Sequence, residues 1–162
     1  MSIWTGSRRQ TRQLPLEGTV MPVEIRHLDN GRGLLVKGYA PLRGNDKIKA
    51  NETLLRSPEE LTKLRYLVID TESGEFHCST EEVRIISAQD KQIAKIAPPD
   101  LVVVVIAPSD LDFGMARMWQ VFAEETGWQT AVFRSRASAG KWLNEALGEN
   151  SYSLASQGEG SM

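Results

Sequence analysis

The stretch Leu101-Val-Val-Val-Val-Ile-Ala107, followed by Leu111-Asp-Phe-Gly-Met-Ala-Arg-Met-Trp-Gln-Val-Phe122, decides the fold class. An unbroken, valine-rich apolar run suits a strand covered on both faces, and such strands belong to parallel sheets. After it the period changes. Leu111, Met115, Met118, Trp119 and Phe122 recur at helical spacing, which predicts a helix from Leu111 to Thr126 ended by Gly127. A buried strand feeding an amphipathic helix is half of a βαβ unit.

Outward from this unit the alternation repeats. Thr80 to Ala97 reads as a helix with Ile85, Ile86, Ile93 and Ile96 on one stripe, stopped by Pro98 and Pro99. Tyr66-Leu-Val-Ile-Asp70 is a buried strand ending on an acid, and Thr71 to Glu75 reads as a polar loop. Asp46 to Arg56 reads as a helix with Ile48, Leu54 and Leu55 on its apolar side. Ser57-Pro58-Glu59-Glu60 starts a short helix to about Lys63, with Ser57 as cap, Pro58 at the first position and Glu60 completing a capping box. Val23 to Leu28 alternates apolar and polar, Asp29 to Gly33 is turn chemistry, and Leu34 to Tyr39 is the return strand of an antiparallel hairpin. Downstream, Gln129 to Phe133 is the last strand. Ser135 caps a final helix that buries Trp142, Leu143, Ala146 and Leu147 and stops at Gly148. The order ββαβαβαβα predicts an α/β fold: a mixed five-stranded sheet with four main helices.

A chain of 162 residues fits one domain. Residues 22–148 carry the pattern; 1–21 and 149–162 lack periodicity and read as flexible tails. Arg8, Arg9 and Arg12 make the first tail basic, either as a solvated segment or as a docking arm for an acidic partner. The net charge of −2 supplies no general attraction to nucleic acid, so no specific nucleic-acid binding is expected. The lone cysteine, Cys78, excludes an internal disulfide and a four-cysteine zinc site, and the two histidines, His27 and His77, are too few for a His-rich metal centre. No metal or cofactor is expected. No apolar run is long enough for a signal peptide or a bilayer span, which points to a cytoplasmic protein without a transmembrane segment.

The residues that carry chemistry cluster before and within two helix starts. Ser79-Thr80-Glu81-Glu82 is a capping box, which by itself needs no function. Thr80 or Ser79 is also a candidate phosphoacceptor. A phosphate there gains about 0.3–1 kcal/mol from the helix dipole but meets the like charges of Glu81 and Glu82. Cys78 is a candidate nucleophile with its pKa lowered by the helix N-terminus, with His77 as base and Asp70 as orienting group, although adjacent side chains such as His77 and Cys78 diverge as a rule. Asp70, His77, Cys78, Asp110 and Asp112 together mark a candidate partner or ligand surface at the sheet's C-terminal edge, where open α/β sheets bind ligands. No Gly-x-Ser-x-Gly, P-loop or His-Glu-x-x-His motif is present.

Three segments resemble the STAS domain and the SpoIIAA-like group of small bacterial proteins, which is related to CRAL-TRIO domains. They are the valine strand with its Gly114 to Phe122 helix, the closing Val132-Phe-Arg-Ser-Arg-Ala-Ser-Ala-Gly-Lys-Trp-Leu143, and the opening hairpin. The resemblance spans Pro22 to Gly148 and implies a STAS/SpoIIAA-like mixed sheet. In that family a phosphoacceptor serine lies in Asp-Ser-Ser-Gly; here the comparable residues are Cys78-Ser79-Thr80-Glu81, with Thr80 at the acceptor position and two of the four motif positions changed. The resemblance implies a non-catalytic regulatory or protein-binding module. Its contact face would be Asp70 to Thr80 with the Pro108–Asp112 turn, and its partner another protein. The alternatives are binding of a small amphiphile or nucleotide between helices, and a thiol-dependent enzyme using Cys78.

Overall fold

The structure is a computed structural model that describes residues 23–39, 41–73 and 76–148. The expected tails lie outside the described residues. The valine run forms β6 (Val102–Ile106), every residue of which is buried. It lies between β4 (Tyr66–Ser73) and β7 (Gln129–Phe133), parallel to both. β4 is parallel to β2 (Gly33–Tyr39), and β2 is antiparallel to β1 (Val23–Leu28). Among the described residues these make a mixed five-stranded sheet in the order β1-β2-β4-β6-β7. The hairpin turn holds Asp29, Asn30 and Gly31 at positive φ, the conformation that Asn and Gly adopt at least cost.

Strand alternation splits the core in two. Leu34, Val36, Leu67, Val103 and Val105 face one side with the helices α1 (Gly44–Leu55), α2 (Pro58–Leu61), α3 (Thr80–Ala94) and α4 (Asp110–Phe122). Leu35, Tyr66, Val68, Val102, Val104 and Ile106 face the other, against Ala139 and Leu143 of α5 (Arg136–Leu147). Burying each such side chain is worth about 1.5–3 kcal/mol, so the two-sided valine run anchors both layers. Among the described residues the fold is thus α/β with a mixed five-stranded sheet and five α-helices, α2 being one turn long.

Several local expectations are corrected. β4 continues through Thr71 to Ser73, where a polar loop was expected, because Thr71 Oγ1 donates to the Ile106 carbonyl and the backbone stays paired with β2. Two short parallel strands, β3 (Leu42–Arg43) and β5 (Phe76–His77), add a pair that no pattern announced. α1 begins at Gly44, two residues before Asp46, whose carboxylate accepts the Arg43 N–H. α3 ends at Ala94, and the helix after β6 passes into a 3-10 turn at Ala123–Thr126. Ser57 precedes α2 without a side-chain cap bond; Pro58 at the first position is what the structure keeps. Ser135 accepts the Ser138 N–H, and Gly127 and Gly148 end their helices in the left-handed conformation, as the sequence implies.

Two helical stripes are rotated from their expected phase. Val83, Ile86, Ser87, Asp90 and Ile93 face inward from α3, leaving Ile85 41% exposed and Ile96 half-buried. On α4 the inward line runs through Asp112, Met115, Ala116 and Trp119, and Leu111 is 60% exposed. Each turn advances about 100° per residue, so one residue of phase error moves a side chain from core to solvent. Trp142 is half-buried against Phe133, with ring centroids 6.0 Å apart.

Candidate ligand cavity at the C-terminal edge of the sheet

The start of α3 is sealed. The Glu82 N–H donates to Ser79 Oγ at 3.1 Å, and Glu82 Oε1 accepts the Ser79 N–H at 2.9 Å. Ser79 and Thr80 are both exposed, with Ser79 committed to the cap and Thr80 the first helical residue. Glu82 also packs on Gly44, where an added Cβ would lie 2.5 Å from Glu82 Oε1. That close approach joins the starts of α1 and α3.

The three residues proposed for thiol chemistry do not meet. Cys78 is half-buried against the helical side of the core and donates to the Ser79 carbonyl at 3.6 Å. Burial, reinforced by Glu82, pushes its thiol up to about 11, with Lys47 opposing. The expected lowering of this thiol is therefore replaced by a rise, whose largest cause is desolvation of the thiolate. His77 is exposed on β5. Asp70 is 2% exposed on β4, and its Oδ2 accepts from Arg136 Nε at 3.0 Å and Nη2 at 2.9 Å. Its Oδ1 accepts the Glu72 N–H at 2.8 Å. Asp70 thus ties α5 to the sheet.

The two aspartates of α4 also separate. Asp110 is exposed and pairs with Arg134 Nη1 at 2.8 Å, while that guanidinium stacks over Phe113 at 4.4 Å. Asp112 is 3% exposed, and both its oxygens accept the Phe76 N–H, at 3.1 and 3.4 Å. It orients the β5 backbone against α4.

Beneath these residues, between the sheet and α1, α3 and α4, lies a cavity of ≈ 50 Å³, partly open to solvent. Val36, Ile69 and Val105 floor it, and Phe76, Met115 and Trp119 wall it. Three buried charged residues, Lys47 of α1, Asp70 of β4 and Asp112 of α4, line it as well. Lys47 Nζ donates to Asn51 Oδ1 at 2.6 Å. The Asn51 amide donates in turn to Gln89 Oε1 at 3.1 Å and Asp90 Oδ1 at 3.3 Å, and Trp119 Nε1 donates to Asp90 Oδ2 at 2.7 Å. Burial lowers the Lys47 pKa against the pull of Asp90 and raises that of Asp90 against Lys47, Trp119 and Asn51. In both groups desolvation is the larger cause.

Sequence reasoning missed Lys47, Asn51 and Asp90. The signal was present: each occupies an inward helical position, Lys47 and Asn51 beside Gly44, Ala50 and Leu54, Asp90 beside Ile86 and Ile93. Fully buried lysine and aspartate are rare unless paired, so charges on an apolar stripe mark a buried polar network. Among the described residues no group of three or more His, Cys, Asp or Glu is placed to hold a metal, and no helix is long and apolar enough to cross a membrane. No known protein family model matches the chain, and no curated protein matches it.

Proposed function

We propose that this chain is a non-catalytic regulatory module of the STAS/SpoIIAA-like kind, and that it binds a small amphiphile between its sheet and helices α1, α3 and α4. One observation carries this reading: an apolar cavity at the C-terminal edge of an α/β sheet with the buried charged residues Lys47, Asp70 and Asp112 in its lining. Ligand pockets combine apolar walls with a few fixed polar groups, and open α/β sheets place them at this edge. The cavity's size and lining favour a small amphiphile over a nucleotide. The test is a methyl-detected NMR titration of the full chain with butan-1-ol. Saturable shifts at the Val36, Ile69 and Val105 methyls are expected; an unmoved spectrum to tens of millimolar sinks the reading.

A second reading, a protein contact, is favoured by the 60% exposure of Leu111 in the Pro108–Asp112 turn. An isolated exposed leucine is common, but here it stands beside exposed Asp110, on the edge that also carries Ser79 and Thr80. A binding partner recovered by the wild-type chain and lost with Leu111→Asp supports it; equal recovery by both removes it.

A further inference from the structure

The geometry points to a specific chemistry for the occupant: a small, uncharged molecule that offers a carbonyl oxygen to Lys47. This inference rests on the ligand-binding reading above and names its ligand class.

The argument starts from donors and acceptors. Asn51 uses its oxygen on Lys47 and its amide hydrogens on Gln89 and Asp90. Each Asp90 oxygen takes one hydrogen, from Asn51 and from Trp119. Gln89 closes its own side by donating to the Ile48 carbonyl at 3.1 Å. The lysine nitrogen has more hydrogens than this network uses, since an ammonium carries three and Asn51 takes one. Gln89 keeps a second amide hydrogen as well, but of the two only Lys47 lines the cavity. An occupant that meets it must accept a hydrogen bond. The amine donates whether or not it is protonated, so the requirement holds on either side of its titration.

Charge then selects among acceptors. The network already pairs the positive Lys47 with the negative Asp90 through Asn51. A carboxylate ligand adds an unbalanced negative charge to a buried site whose lining already includes Asp70 and Asp112. Unpaired buried charge is far more costly than a buried neutral dipole. A ketone, ester or amide carbonyl satisfies the donor without that cost. Size sets the last limit. A cavity of about 150 Å³ holds benzene, and this one is ≈ 50 Å³ and partly open. The occupant's buried part is correspondingly short, a carbonyl with two or three carbons.

The experiment compares three probes of one shape on the full chain by methyl NMR: butan-2-one, 2-methylbut-1-ene, in which a methylene replaces the carbonyl oxygen, and propanoate. In a purely apolar cavity the alkene wins, because the ketone surrenders its hydrogen bonds to water. Here butan-2-one is expected to bind at least as tightly as the alkene and about tenfold more tightly than propanoate, at the scale of one hydrogen bond to a charged donor. Lys47→Met keeps an unbranched chain one atom shorter and removes the donor. It is expected to cut the ketone-to-alkene affinity ratio by about tenfold. Should that variant fail to fold, the infrared stretch of ¹³C=O-labelled butan-2-one bound to the wild-type chain decides: a shift to lower wavenumber supports the hydrogen bond, an unshifted band overturns it. Alkene binding well above ketone, or propanoate binding tightest, overturns the carbonyl class while leaving the cavity a binding site. Failure of every probe to bind removes both.

Discussion

At the scale of single residues, the same desolvation acts on Cys78, Lys47 and Asp90 and pushes each toward its neutral form. For Cys78 the consequence is chemical. With the folded thiol near 11 against an ordinary 9.0, its thiolate fraction at pH 8 is about a hundredfold below that of the unfolded chain. Iodoacetamide at pH 8 is therefore expected to alkylate the native protein about a hundredfold more slowly than the urea-unfolded protein. Comparable rates would show that the thiol is not desolvated. The same shift has a stability sign. The folded pKa is raised, so the contribution of Cys78 is fully present below about 9 and is lost as pH rises through about 11. Urea midpoints should fall across that window in the wild type and fall less in Cys78→Ser. Asp90 gives the sharpest contrast between buried and exposed charge. Asp90→Ala strands Trp119 Nε1 and leaves Lys47 without its counter-charge. Breaking such a pair costs about 3–5 kcal/mol, whereas Asp110→Ala, which loses an exposed pair to Arg134, stays within about 0.5 kcal/mol. Chemical denaturation of the two variants measures the difference, and equal losses would mean that the Asp90 network carries no energy.

At the scale of elements, two glycines show which contacts fix the layers. Gly33 opens β2 directly against the fully buried Tyr66, and an added Cβ would lie 2.2 Å from the ring carbon Cζ. A ring held on all sides cannot yield as a flexible chain end would, so Gly33→Ala is expected to destabilise by about 2–3 kcal/mol. Gly114 sits on the outer side of α4 with nothing within 4 Å of an added Cβ. There Gly114→Ala removes backbone freedom from the unfolded chain and is expected to stabilise by about 0.5–1 kcal/mol. Thermal melts of the pair check both signs; a neutral Gly33→Ala would mean that the strand does not approach Tyr66 this closely. The main elements are legible in the sequence, because the valine run, the hairpin turn and the Ser79 and Ser135 caps are local signals, whereas the short β3–β5 pair and the extension of β4 carry none. The phase of two helices is not legible. Ile85 and Leu111 were placed on apolar stripes because an apolar residue was weighed above a charged one at each position. The structure places Asp90 and Asp112 inward instead, since their partners, Asn51, Trp119 and the Phe76 backbone, come from elements distant in sequence.

At the scale of the whole molecule, the two faces of the sheet divide the labour. One face, under α1, α3 and α4, contains the cavity and the Lys47–Asn51–Asp90–Trp119 network. The other is held by α5, and its polar tie to the sheet is Arg136 to Asp70, with Arg136 Nε also 3.0 Å from Glu72. Asp70 was legible as a site candidate because an acid ends an apolar strand at the functional edge of the sheet. Its actual partner, 66 residues away, was not, because only the folded topology brings the start of the last helix beside the middle strand. The Asp70 side chain is 3% exposed and that of Arg136 19%, so the pair is mostly withdrawn from water. Arg136→Ala leaves a buried carboxylate with one backbone N–H, and should cost about 3 kcal/mol. Asp70→Asn in the same background removes the stranded charge and should recover part of that loss. A double-mutant cycle on urea denaturation then yields a coupling of about 1.5–3 kcal/mol. If the cycle is additive, α5 is held by Leu143 and Ala139 packing alone. No residue of α5 lines the cavity, but Asp70 lines it and holds Arg136, so stranding Asp70 in Arg136→Ala is expected to change butan-1-ol affinity at temperatures where both proteins are folded. An unchanged affinity would mean that the two faces act independently although Asp70 of β4 belongs to both.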